Sequence, residues 1–162
     1  MDRIEAVPAN KRTLKLLTLA FLPLLLISIF LVYRSYRSDR ADQEAKSSVR
    51  HAAVAAQAFG QRHGNFDDLN PRSIAEIDSH FDYRDSRTPA SGYRSASIFG
   101  SGGQFAAAAY GGSGTCFWIQ VSRPSPLSSA QYASAKTPLN ECVADRYLQL
   151  NFRDTSMDGW EK

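Results

Sequence analysis

The sequence predicts an α+β protein in which a long N-terminal helix, transmembrane and then extramembrane, packs on a small antiparallel β-sheet. Two observations carry that prediction. A charge-free apolar run passes, with no intervening glycine, into a stripe of small residues at helical spacing. Further on, two glycine clusters separate three short runs containing aromatic and β-branched residues. With 162 residues the chain has room for an anchor and one modest core.

The anchor comes first. Leu14 to Tyr33 (LKLLTLAFLPLLLISIFLVY) is nearly all apolar, and from Leu16 onward only Thr18, Pro23 and Ser28 interrupt it. That length suffices to span a bilayer core as a helix. A cleaved secretory signal would have a shorter apolar region and a small-residue cleavage site, whereas this run meets YRSYRSDR directly. Pro23 frees one backbone carbonyl and predicts a bend. The chain accordingly divides into a cytoplasmic basic segment (1–13), a transmembrane helix (14–33), its extramembrane continuation (34–60) and a head (61–162).

Charge alone does not orient the anchor. Arg3, Lys11, Arg12 and Lys15 precede it, and Arg34, Arg37, Arg40 and Lys46 follow, so the positive-inside comparison is a tie. Cys116 and Cys142 break the tie, because an even pair in a small head is most useful where oxidation is permitted. The expectation is a single-pass protein with a cytoplasmic N-terminus and a periplasmic or extracellular head; reduced, buried thiols would instead place the head in the cytosol. A Cys116–Cys142 disulfide would close a loop of about 25 residues and contribute about 3 kcal/mol by restricting the unfolded chain. The net charge of +3 is mild and gives no argument for nucleic acid.

Beyond the anchor, Ala41, Ala45, Val49, Ala52, Ala53, Ala56 and Phe59 recur at spacings of three and four. Small side chains permit close approach of a sheet or another helix, so Ala45, Val49, Ala52, Ala56 and Phe59 are the predicted packing residues. A single helix from about Leu14 to Phe59 would be on the order of 65 to 70 Å long. Gly60 is the expected stop, with Gly64 a second chance, and GQRHGNFDDLNP is dense in turn formers. One helical turn is expected around Ser73–Ile77, then an ordered loop through DSHFDYRDSRTPASG.

The sheet is expected from Tyr93–Phe99, Gln104–Tyr110 and Thr115–Val121, with GSGG and GGSG as its turns. Alternation sets Ala96, Ile98, Phe105 and Trp118 or its neighbours against the helix, although four consecutive alanines leave the register open. SRPSPLSSAQYASAKTP reads as a long polar loop. RYLQLNF (Arg146–Phe152) alternates and reads as a fourth strand.

Catalytic chemistry needs converging groups. His51, His63 and His80 are far apart in sequence and have no carboxylate or cysteine at ligand spacing, so no metal site is expected. The glycine clusters neither open a helix nor carry a P-loop lysine, which makes them hairpin turns rather than phosphate cradles. Asp67 and Asp68 are adjacent and read as turn caps. The sequence thus predicts no enzyme and no cofactor.

This order of elements resembles the type IV pilin and pseudopilin family. The segment YRSYRSDRADQEAKSSVRHAAVAAQAFGQRHGNFDDL (Tyr33–Leu69) is similar to the family's small-residue helix extension, with Tyr33 and Tyr36 at its membrane end and HGNF at the other. SGTCFWI and NECVADRYLQLNF…GW are similar to the C-terminal half of pilin-like proteins with one cysteine pair. The family's processing site, a glycine followed by an aromatic or methionine and then a glutamate, is absent where this chain has PANKRTLKLL. The resemblance implies a pilin-like fold and a minor pilin- or pseudopilin-like structural subunit that packs through its long alanine-striped helix in a type IV pilus or type II secretion-like filament, whose partners are the membrane and other pilin-like subunits or assembly-platform proteins. The alternative is a bitopic extracellular binding or sensor protein that does not polymerise, recognising a ligand through Asp78–Ser91 and Ser122–Glu141, with Tyr83, Tyr93 and Tyr132 as surface contacts.

Overall fold

A computed structural model describes residues 11–90, 94–122, 130–150, 153–154 and 160, with side chains from Phe21 onward except at 153–154. The chain divides into two units, up to Arg37 and from Ser38.

Helix α1 is Lys11–His63. It begins before the expected Leu14 and passes Gly60, which is buried within it. The end falls at Gly64, whose φ of +81° is the left-handed conformation that closes a helix and that only glycine adopts without strain. Its amide donates to the Gly60 carbonyl at 2.7 Å. His63 adds a last-turn cap, with its ring stacked on Phe59 at 4.0 Å and Nδ1 3.0 Å from the Phe59 carbonyl oxygen.

In the first unit, every described residue from Phe21 to Arg37 is exposed. This N-terminal helix is long and apolar enough to cross a membrane.

The second unit is α+β. Helix α2 (Pro71–Ile77) begins at an Asn70 capping box: the Asn70 side chain accepts from the amides of Arg72 and Ser73, and Ser73 Oγ receives the Asn70 amide at 3.0 Å. The expected helical turn at Ser73–Ile77 is therefore two residues longer at its start. The strands are β1 (Asp82–Arg84), β2 (Ser95–Ser101), β3 (Gln104–Tyr110), β4 (Thr115–Ser122), β5 (Gln131–Lys136) and β6 (Arg153–Asp154), joined in that order in one sheet.

The meander β2–β3–β4 lies where the glycine clusters put it and is antiparallel. The sheet as a whole is mixed rather than antiparallel, because β1 pairs parallel to β2. Asp82–Arg84 was expected to be loop; the long segment Asp85–Arg94 gives the chain room to return in the same direction, which a tight hairpin forbids. A second correction concerns Gln131–Lys136, read as polar loop. This segment has little strand preference of its own, but β4 offers it an open edge, and the pairing runs from Thr115↔Lys136 to Gln120↔Gln131. With β3 and β5 on its two sides, β4 has no edge left for Arg146–Phe152. Residues Ala144–Gln149 form a 3-10 helix there instead of the expected fourth strand, and Leu148 is exposed. Phe152 lies outside the described residues.

The register settles which face each residue takes. Phe105↔Val121, Ala107↔Ile119 and Ala109↔Phe117 face α1, and with Ala96 and Ile98 they form the main core. Trp118 pairs with Ala108 on the opposite face, beside Cys116 and Cys142. Of the pair of options for the third strand, the neighbours of Trp118 meet the helix and Trp118 does not.

Candidate functional site

The predicted packing residues lie in the seam between α1 and the sheet. Ala45, Val49, Ala52 and Ala56 are fully buried, Phe59 is 5% exposed, and all five belong to the core built with β2, β3 and β4. Ala107 and Ala109 of β3 belong to the same buried core, so small residues stand on both sides of the seam. Residues on the far side of this helix section are exposed: Gln43, His51, Val54 and Gln61.

Two aspartates tie the ends of the meander. The turn between β3 and β4 is held by Asp42 of α1, whose Oδ1 accepts the Ser113 amide at 3.0 Å. Here glycine is needed for proximity, since a Cβ on Gly112 would sit 2.6 Å from the Ala41 Cβ and 3.1 Å from the Ser38 backbone. At the other end, Asp67 Oδ1 accepts the Gly102 amide, and the Phe66 amide donates to the Gly102 carbonyl at 2.9 Å. Phe66 is fully buried and packs on Phe105 at 6.0 Å between ring centroids. The spacing of GSGG and GGSG announced turns; that each turn is capped from the helix or the loop after it needed the tertiary structure.

The outer face of the sheet is closed by the cysteine loop. Cys116 and Cys142 form a disulfide with a Cα–Cα distance of 5.6 Å. Both are fully buried, and the Trp118 indole N–H donates to the Val143 carbonyl at 3.1 Å. The Ser97 hydroxyl receives the Ala144 amide at 3.0 Å and donates to the Asp85 carbonyl.

Sequence reasoning missed one polar cluster. Asp78, the C-cap of α2, carries a side chain only 13% exposed. His51 Nδ1 from α1 lies 2.9 Å from its Oδ2; His80 Nδ1 and the His80 amide lie 3.0 and 2.9 Å from its Oδ1. Burial pushes the Asp78 carboxyl up, but the bonds from His80 and His51 outweigh it and hold the group below its usual value. The His51 ring also packs on Phe81 at 4.8 Å. The Tyr83 hydroxyl is buried and has no hydrogen-bond partner among the described residues; burial and the Asp78 charge push its pKa up. The residues 27 and 29 positions from His51 to Asp78 and His80 have no local pattern that joins them. Only the return of the chain from α2 to β1 does so.

Tyr83 and Tyr132 were nominated as surface contacts, and both are buried, at 6% and 5% exposed. Their rings supply core area: Tyr83 lies in the core, and Tyr132 packs edge-on against Trp160 at 4.7 Å. Tyr93 lies outside the described residues. Among the described residues no group of three or more His, Cys, Asp or Glu is arranged to hold a metal ion. Comparisons with protein families, with curated proteins and with solved structures find no match.

Proposed function

We propose that the chain is a non-enzymatic, membrane-anchored subunit of the pilin or pseudopilin kind, acting in a type IV pilus or type II secretion-like filament. Its head would lie in the periplasm or outside the cell, and its partners would be the membrane and other pilin-like subunits or assembly-platform proteins. The observation that carries this reading is the division of labour along α1: exposed apolar residues from Phe21 to Tyr33, then a small-residue face covered by the meander. The late disulfide, which closes the outer face of the sheet, adds support.

The reading assigns the alanine stripe to the head's own core. Contacts between subunits then belong to the opposite side of the helix, where Val54 is 50% exposed among polar neighbours. The binding-protein alternative assigns recognition to the loops at 78–91 and 122–141; of the three tyrosines it offered as contacts, Tyr83 and Tyr132 are buried.

The test places a photo-crosslinking residue at Val54 or Gln43 in the full chain in its native membrane. A ladder of multiples of the chain, or a discrete product with an assembly-platform protein, is expected. With the probe at Gln43, Val54→Asp should erase it while leaving head melting unchanged. Monomer alone from both positions would sink the proposal.

A further inference from the structure

Trp160 joins the main core from outside the meander and is only partly buried against it. Its indole N–H donates to the Ala133 carbonyl of β5 at 3.0 Å. β6 pairs with Gln131 and Tyr132, so the indole takes the carbonyl of the residue just past those two rungs. The ring stands edge-on to Tyr132 at 4.7 Å and to Phe117 at 5.8 Å between centroids, with interplanar angles of 80° and 76°. From α1 the Arg50 guanidinium lies over the indole, 5.1 Å from its centroid, and Lys46, one turn earlier, lies over Phe117 at 5.5 Å. Arg50, Phe117, Tyr132 and the Ala133 carbonyl thus build a seat from α1, β4 and β5, all of them distant in sequence from the residue that fills it.

We propose that this seat is an indole-binding site: the chain fills it with its own Trp160, and it receives the same side chain from a separate copy of the segment 153–162 when its own is removed. The chemistry selects the occupant. Phenylalanine has no N–H for the Ala133 carbonyl, and a tyrosine hydroxyl leaves the ring at its tip rather than along its flank. Indole also offers a cation the strongest aromatic face, which suits the position of Arg50. Phe117 and Tyr132 are 4% and 5% exposed with Trp160 in place, so an empty seat uncovers two apolar rings and favours refilling. The chain's own tryptophan is tethered, so it competes at an effective concentration of millimolar order and keeps the seat closed to others.

The probe is the synthetic peptide RDTSMDGWEK, residues 153–162, carrying fluorotryptophan at position 160 and titrated by fluorine NMR against the full chain in detergent. Against W160A the peptide resonance should shift saturably, and the parent chain, whose seat is filled, should bind more weakly by on the order of tenfold. W160F in the peptide removes the N–H and should lower its affinity, read by competition, roughly two- to tenfold. R50Q in the W160A chain should lower affinity roughly two- to fivefold, and R62Q should change nothing. Equal binding to W160A and the parent, or equal competition by the W160F peptide, overturns the site. So does the absence of any shift against a W160A chain whose melting shows a folded head. If W160A fails to fold, the parent chain labelled with fluorotryptophan decides, with the Trp160 resonance assigned by W160F. R50Q should then move that resonance and leave the Trp118 resonance in place. A Trp160 resonance at the position of the free peptide, or one that R50Q leaves unmoved, overturns the site.

Discussion

Gly112→Ala is the sharpest test of how the head is fastened to its helix. The added Cβ would stand 2.6 Å from the Ala41 Cβ and 3.1 Å from both Cα and O of Ser38. Comfortable carbon–carbon contact is about 3.5 to 4.0 Å, so the turn must retreat by roughly 1 Å. Ala41 has no rotamer with which to move aside, and Ser38 presents backbone. Overpacking of this kind costs about 1 to 3 kcal/mol. The retreat also stretches the Ser113 amide from Asp42, a bond to a charged acceptor. A loss of about 2 kcal/mol lowers the melting temperature of a head this size by roughly 6 to 10 °C. Trp118 and Trp160 both belong to the head, so tryptophan fluorescence of the full chain in detergent follows its melting. Amide exchange at Ser113 should rise in the same variant. An unchanged melting temperature with Ser113 still protected would refute the close-approach argument.

Other perturbations probe the remaining contacts. Ala56→Leu forces a larger side chain into a fully buried seam and should destabilise the head by about 1 to 3 kcal/mol or more, seen as a lower melting midpoint. Replacing Cys116 and Cys142 by serine opens a loop with a sequence separation of 26 and should lower unfolding free energy by about 3 kcal/mol in denaturant titration. Asp78 gives a pH signature. Its carboxyl is held below the usual value, so its contribution is present above the unfolded-state pKa near 3.8 and is lost as pH falls through the lower folded value. Asp78→Asn should therefore cost roughly 1 kcal/mol at neutral pH and flatten the acid limb of the stability curve; an identical acid limb in the variant would contradict the hydrogen-bonded geometry.

What could be read in the sequence was what is written locally. The stripe from Ala41 to Phe59 repeats at helical spacing, and the glycine clusters punctuate runs that pair with their immediate successors, so α1 and β2–β4 were legible. The disulfide was legible because the head holds one pair of cysteines. Elements that depend on distant partners were not. Gln131–Lys136 is a strand only because β4 offers an edge, and Asp82–Arg84 only because β2 lies beside it. The alanine run 106–109 could not say which face of β4 turns inward, since alanine fits either, and Trp118 accordingly fell on the face away from the helix. His51, Asp78 and His80 were read separately because nothing in their spacing joins a helix to a loop.

The seam also bears on how assembly can work. A buried alanine stripe invites the inference that neighbouring subunits pack there, yet Ala45, Ala52 and Ala56 have no exposed surface to offer. A bulky substitution in the stripe therefore unfastens the head before it disturbs any neighbour, and loss of assembly in such a variant would report stability rather than contact. Val54 separates the two effects. It sits on the same helix, between buried Ala53 and Ala55, with half its surface open, so changing it leaves the seam intact and alters only what the outer face presents. The informative pair is consequently Ala56→Leu against Val54→Asp: a protein that assembles through the outer face loses melting temperature in the first and multimers, at parental melting temperature, in the second.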